Sequence, residues 1–164
     1  ITEDTMKHLV YILGAILLCA TPAWAHGDKA DTHAPVVKEQ KDWGIAGDLK
    51  AVTRVIEVTM NDNMRFVPDL VEVKQGDTIK FVHKNLGTLK HEFVIGTQQE
   101  NDQHAALMEK FPDMEHDEPY MAHVPPGKTG QIVWTFNRAG EFEFACLIAG
   151  HYEAGMVGKI VVSA

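Results

Sequence analysis

The sequence predicts an all-β sandwich or barrel, and three observations carry that expectation. From Thr53 onward, short runs rich in β-branched and aromatic residues alternate between apolar and polar positions. Turn-forming clusters punctuate these runs, as in Asn61-Asp62-Asn63, Gln75-Gly76-Asp77 and Asn85-Leu86-Gly87. Three more strand-like runs, 131–136, 141–146 and 157–162, follow a segment of different character.

The chain of 164 residues has room for one ordinary domain plus extensions. Residues 1–25 read as a leader region. Within it, Met6 is followed by Lys7 and His8, an apolar run over 9–20, and then Thr21-Pro22-Ala23-Trp24-Ala25. A charged start, a short apolar core and a small-residue end are the pattern of a secretory signal peptide over 6–25. The apolar run falls short of the roughly 20 residues that a membrane span needs. Leu18 ahead of Cys19 is not the small residue of a lipidation signal. Residues 1–5 receive no role. Removing the leader removes Cys19 and leaves Cys146 as the single thiol of the exported chain. A lone thiol in an oxidising compartment calls for an occupant, and a metal bond is one.

Net charge is −8, which argues against nucleic acid as a partner and suits docking to a basic patch on another protein. Residues 26–50 are polar, contain Pro35 and lack a sustained period, so a flexible N-terminal tail is expected ahead of a domain over 51–164. His26 and His33 read as solvated residues of that tail.

The strands expected in the first half are 54–60, 70–74, 78–84 and 91–95. A helix is expected over 101–111, with Asn101 as its N-cap and Leu107, Met108 and Phe111 on one face. The following stretch, 112–127, is too rich in proline and acid for regular structure. A short helix and a long loop are therefore inserted before the last three strands, and long insertions in compact domains tend to be functional. This insertion holds His104, Met108, Met114, His116, Met121 and His123.

The loop between the last two strands holds Cys146, His151 and Met156, with four residues in each gap. Thiolate, imidazole and thioether form a soft set that suits copper better than zinc, magnesium or calcium. A blue-copper site needs one more histidine, and His83 and His91 are the candidates. His91 is preferred because it opens an apolar strand directly after a turn, at the end of the sandwich where loops gather. His83 lies mid-strand and alternates with Phe81. The set would then be His91, Cys146 and His151 with Met156 as a weak axial ligand.

The run from Phe144-Ala145-Cys146 to Met156-Val157-Gly158, with His91-Glu92-Phe93 upstream, resembles the cupredoxins. The four-residue gaps on both sides of His151 are similar to those of rusticyanin and auracyanin. Trp43-Gly44-Ile45-Ala46-Gly47, Asp62-Asn63-Met64-Arg65-Phe66, the stretch 114–121 and the stretch 134–142 resemble the periplasmic CopI-like copper-tolerance cupredoxins more closely. The resemblance implies a Greek-key cupredoxin β-sandwich and a type 1 copper on His91, Cys146, His151 and Met156. It places the Lys90 carbonyl nearest the metal and makes His151 the exposed edge through which electrons pass.

Three functions compete. The first is periplasmic copper handling in copper tolerance, with a candidate second copper site among His104, Met108, Met114, His116, Met121 and His123. The second is a soluble electron carrier to a respiratory partner. The third is an enzyme, and it is disfavoured because Ala145 and Leu147 flank Cys146 where copper enzymes place a wiring histidine. The expected partners are copper ions and a periplasmic redox or copper-transfer protein. No membrane span is expected in the mature form.

Overall fold

The structure is a computed structural model of the chain, and it describes residues 38–114 and 116–164. The expected signal peptide, His26, His33 and the first part of the expected tail lie outside the described residues.

The strands are β1 (Ile45–Ala46), β2 (Arg54–Asn61), β3 (Arg65–Val67), β4 (Leu70–Lys74), β5 (Thr78–Asn85), β6 (His91–Gly96), β7 (Met121–Val124), β8 (Thr129–Thr135), β9 (Gly140–Ala145) and β10 (Val157–Ser163). They form two five-stranded sheets, ordered β1-β8-β5-β2-β3 and β4-β10-β9-β6-β7. Within them β2–β5 and β4–β10 run parallel and the other pairs antiparallel. The sheets enclose one aromatic core that includes Phe66, Phe81, Phe93, Trp134, Phe136 and Phe144. The period-2 pattern explains why: in β4, Val71 and Val73 are buried while Leu70, Glu72 and Lys74 are exposed.

Four expectations change. The folded domain begins ahead of residue 51. Trp43 and Ala46 are buried in the core, β1 pairs with β8, and Trp134 Nε1–H donates to the Trp43 carbonyl at 2.8 Å. Little of this is visible in a stretch of only two strand residues.

The helix, α1 (Gln98–Lys110), starts earlier than expected, and Thr97 rather than Asn101 caps it. Thr97 Oγ1 accepts from the Glu100 amide at 3.2 Å and donates to Glu100 Oε2 at 3.0 Å. The Thr-x-x-Glu signature of a capping box is readable in the sequence at 97–100, although Glu100 takes its bond from the Thr97 hydroxyl instead of the Thr97 amide. The buried helix residues are Asn101, Ala105 and Met108, whereas Leu107 and Phe111 are exposed.

The acidic stretch after the helix contains β7, which joins the edge of the second sheet beside β6. The short strand β3 also escaped the sequence reading, because three residues beside a turn carry no period.

The inner faces of β6 and β9 carry Phe93, Ile95, Phe142 and Phe144 to the main core. Their outer faces carry Val94 and Ala145, which join Ala105 of α1, Met121 of β7 and Leu147 in a second, smaller cluster. The insertion therefore packs on the back of the sheet whose front lines the core.

Candidate metal centre

Three of the four residues expected to hold a metal meet with their ligand atoms all within 4.8 Å of one another: His91, Cys146 and His151. His91 comes from the first position of β6. The loop before it is pinned from two directions. Asn85 Nδ2 donates to the carbonyls of Leu89 (2.7 Å) and Val124 (2.8 Å). Asp62 accepts from the amides of Thr88 and Leu89 and from the Thr88 hydroxyl. These donors, the Thr88 amide first, bring the Asp62 pKa down to about 2, so its charge persists at any physiological pH. The same carboxylate lies 3.5 Å from His91 Nε2, at ion-pair distance but off the line of a hydrogen bond. A carboxylate behind a ligating histidine fixes ring orientation and raises ligand basicity.

Cys146 follows β9 and is fully buried. Its amide donates to the Met156 carbonyl at 3.0 Å, and the Met156 amide donates to the His151 carbonyl at 3.1 Å. These bonds tie the two ends of the ligand loop together. Gly150 and Gly155 take the left-handed φ values of +84° and +87° that such a tight return needs. Arg65 Nη1 clamps the loop from outside by donating to the Ala154 carbonyl at 2.9 Å. Met156 is fully buried in the main core together with Cys146.

The Cys146 sulfur lies 3.3 Å from His151 Nδ1 and accepts from the Glu92 amide at 3.3 Å. Burial pushes the Cys146 thiol up to about 12, against smaller opposing effects of the Glu92 and Ile148 amides. His91 and His151 are both held below the ordinary histidine range, chiefly by burial. The metal-free site at neutral pH is thus one thiol and two neutral imidazoles. Neither ring nitrogen of buried His91 has a hydrogen-bond partner among the described residues. Buried donors and acceptors are seldom left so, and a metal ion held by these residues would engage one of them.

This donor set fits copper: two imidazoles and a thiolate on a rigid β scaffold, with a thioether nearby in the loop. Copper, when bound, supplies one-electron redox chemistry and the strong visible absorption of a copper–thiolate bond. The residues supply the rest: Asp62, Asn85 and Arg65 hold the loops, and the Glu92 amide polarises the sulfur. His151 is half-buried while His91 is fully buried, so His151 presents the accessible edge. Loading copper(II) at neutral pH is expected to release about one proton per ion, from the Cys146 thiol. At lower pH the release should rise as free imidazoles protonate. Indicator-dye titration in weakly buffered solution measures it, and no release at neutral pH would remove Cys146 from the ligand set.

His83, the other candidate, is no part of this cluster. It is fully buried, with its ring centroid 4.1 Å from that of Phe93 and 6.3 Å from that of Phe81. Burial brings its pKa down to about 3, so it stays neutral.

The six residues proposed for a second site divide. His104 and His116 meet, with their Nε2 atoms 3.3 Å apart and their rings stacked at 5.1 Å. His123 joins them: its Nε2 bonds the His116 carbonyl at 2.9 Å. Its Nδ1 lies 3.0 Å from Glu92 Oε1 with off-line geometry. Met108 and Met121 are buried, whereas Met114 is exposed. Met121 packs in the smaller cluster beneath α1.

Sequence reasoning missed four supporting residues: Asp62, Arg65, Glu92 and Tyr152. Asp62 and Arg65 lie in a stretch already singled out, 62–66, and Glu92 directly follows His91. Tyr152 carried no signal. Its hydroxyl donates to Asp102 at 2.9 Å and lies 3.3 Å from Glu143, which ties α1 to the ligand loop.

The chain matches the family described as copper binding proteins, plastocyanin/azurin family, over residues 52–163. It is 44% identical over 160 residues to a copper-resistant cuproprotein CopI of Rubrivivax gelatinosus, covering 92% of this chain and 97% of that one. To the protein of the same description from Pseudomonas aeruginosa it is 37% identical over 139 residues, covering 67% and 76% respectively. Among solved structures, auracyanin B superposes with a TM-score of 0.62 at 18% identity, covering 74% of this chain and 96% of its own. At that identity the likeness speaks for the fold alone.

Proposed function

Given that this chain belongs to the plastocyanin/azurin family of copper-binding proteins, as a CopI-like cupredoxin, we propose that it is a periplasmic type 1 copper protein of copper tolerance. The observation that carries the reading is the convergence of His91, Cys146 and His151 on a rigid two-sheet frame, with Met156 buried at the far end of the same loop. The copper-resistant relatives and the leader-like start of the sequence support the cellular role and the location.

The insertion adds a second copper to this reading. His104 and His116 offer two imidazole nitrogens at a spacing one ion can bridge, and thioethers lie in the same segment. Titrating copper into the metal-free protein is expected to saturate beyond the first equivalent, and His104→Ala with His116→Ala should remove the excess. Saturation at one equivalent, unchanged in the double variant, would reject the second ion and leave the type 1 site standing.

No catalytic step is assigned. Cys146 is flanked by Ala145 and Leu147, both fully buried and apolar, and neither offers a metal ligand. The half-buried edge of His151 favours a second reading, a soluble electron carrier to a respiratory partner. Deleting the gene separates the two. Increased copper sensitivity with intact respiration supports copper tolerance; impaired respiration at unchanged copper resistance overturns it in favour of the carrier. No helix among the described residues is long and apolar enough to cross a membrane.

A further inference from the structure

The insertion touches the metal centre at two places, and each contact comes from a different part of the insertion. His104 stands on α1, and His116 stands on the segment that leads into β7. Their Nε2 atoms are 3.3 Å apart, so an ion held between them joins the helix to that segment. Burial first, and the neighbouring His116 second, hold His104 below the ordinary histidine range, which leaves it a neutral ligand at pH 7.

The His116 segment reaches Cys146 through β7. His123 Nε2 meets the His116 carbonyl at 2.9 Å, and its Nδ1 stands 3.0 Å from Glu92 Oε1. His123 and Glu92 are register partners between β7 and β6. Glu92 is 4% exposed, and carboxylates buried so deeply are found paired. Its own amide donates to the Cys146 sulfur at 3.3 Å. One residue therefore meets the insertion with its side chain and the metal centre with its backbone.

The helix reaches His151 through Tyr152. Asp102 lies on α1 two residues before His104 and accepts from the Tyr152 hydroxyl at 2.9 Å. Tyr152 directly follows His151 in the ligand loop, and its ring packs against the small cluster that includes Ala105 of α1. An ion that fixes the helix against the His116 segment thus acts on both flanks of the metal centre. One flank is the amide at the Cys146 sulfur, and the other is the residue beside His151. Close-packed interiors transmit such strain because they hold little free volume to absorb it.

We infer that the insertion is a copper-responsive regulator of the type 1 centre. An ion on His104 and His116 alters the copper–thiolate bond through His123 and Glu92 on one side and through Asp102 and Tyr152 on the other. The inference rests on the second-copper reading of these histidines. By linkage, filling the type 1 site changes the affinity of the insertion for its ion by the same factor.

The test is a visible-spectrum titration of the metal-free protein with copper(II) at neutral pH, with equilibrium dialysis counting the ions bound at each step. The maximum of the copper–thiolate band is expected to move as the second ion binds, and to stay fixed in His104→Ala with His116→Ala. Saturation at one ion per chain would reject the second-copper reading and this inference with it. A second ion bound with the band unmoved would overturn the inference alone, as would a movement that persists without the two histidines. Glu92→Leu with Tyr152→Phe cuts both links and keeps the Glu92 amide. That variant is expected to bind the second ion without moving the band. An undiminished movement there would be the field of the second charge acting through space, and would overturn the inference. If the double variant does not fold, Tyr152→Phe alone replaces it. A smaller movement then supports the inference, and an undiminished one overturns it.

Discussion

Cys146→Ala is expected to abolish the intense visible absorption of the copper(II)-loaded protein. That absorption requires a copper–thiolate bond, and Cys146 is the free cysteine among the described residues. Its sulfur is placed for the role: 3.3 Å from His151 Nδ1, hydrogen-bonded by the Glu92 amide, and sealed from water. Alanine leaves His91, His151 and Met156 in position, so copper can still bind, but through imidazole and thioether, which give only weak absorption in the visible. The fold should survive, because the change removes one small atom group from a site tied by backbone bonds between Cys146, Met156 and His151. The measurement is the visible spectrum at equal copper content, with circular dichroism to confirm folding. Intense colour in a folded, copper-loaded Cys146→Ala protein would sink the assignment of the metal centre. Removing copper from the parent protein should bleach it in the same way.

Phe93→Ala is expected to lower the unfolding free energy of the metal-free protein by about 3–5 kcal/mol, as for other buried aromatic truncations. Phe93 is fully buried where the two sheets meet. Its ring lies 4.9 Å from Phe144, 5.2 Å from Phe81, 5.8 Å from Phe66 and 4.1 Å from His83, between centroids. Such a ring has neighbours from several strands, so the void left by alanine cannot close by moving any one of them. The same residue ties stability to the metal centre. Phe93 stands two positions after His91 on the inner face of β6, and Phe144 stands two before Cys146. Loosening this stack should also broaden the copper spectrum. Urea denaturation of parent and variant gives the energy. Val55→Ala, at a position 58% exposed, serves as the control and should change stability by no more than about 0.5 kcal/mol. A loss below about 1 kcal/mol for Phe93→Ala would mean that the sheets do not pack around this ring as described.

Much of the architecture was legible in the chain. The strands β4, β5, β6 and β10 fall within a residue or so of their expected positions, because β4, β5 and β10 alternate, β6 is a short apolar run, and turn residues mark most of their ends. The metal loop was legible for a different reason. Cys146, His151 and Met156 are close in sequence, their chemistry is unusual together, and two flanking strands force them onto one loop. Choosing His91 over His83 was a matter of place: a strand start lies at the end of the sandwich, whereas the middle of β5 lies within the core.

The Thr97 cap was readable and missed, but most of what escaped had little local signal. Trp43 looked like part of a tail because its partners, Trp134 and Tyr120, lie far along the chain. The strand β7 hid in an acidic, proline-rich stretch because an edge strand gains its definition from its neighbour, here β6. The Met and His residues of the insertion were counted as one group by composition. The fold sorted them: His104, His116 and His123 gather, Met108 and Met121 are buried, and Met114 stays outside.

By itself, the sequence determined the β architecture, the soft donor set and its copper preference, because periodicity and ligand chemistry are properties of neighbouring residues. Only the tertiary structure decided how the site is held and what lies around it. Asp62 behind His91, Arg65 on the ligand loop and the Glu92 amide on the Cys146 sulfur all come from segments brought together by sheet pairing. So does the cavity that Trp43 and Asn101 both line, although 57 residues lie between them in the chain. Side-chain contacts between distant segments follow from strand order and register, and no local pattern of residues encodes those.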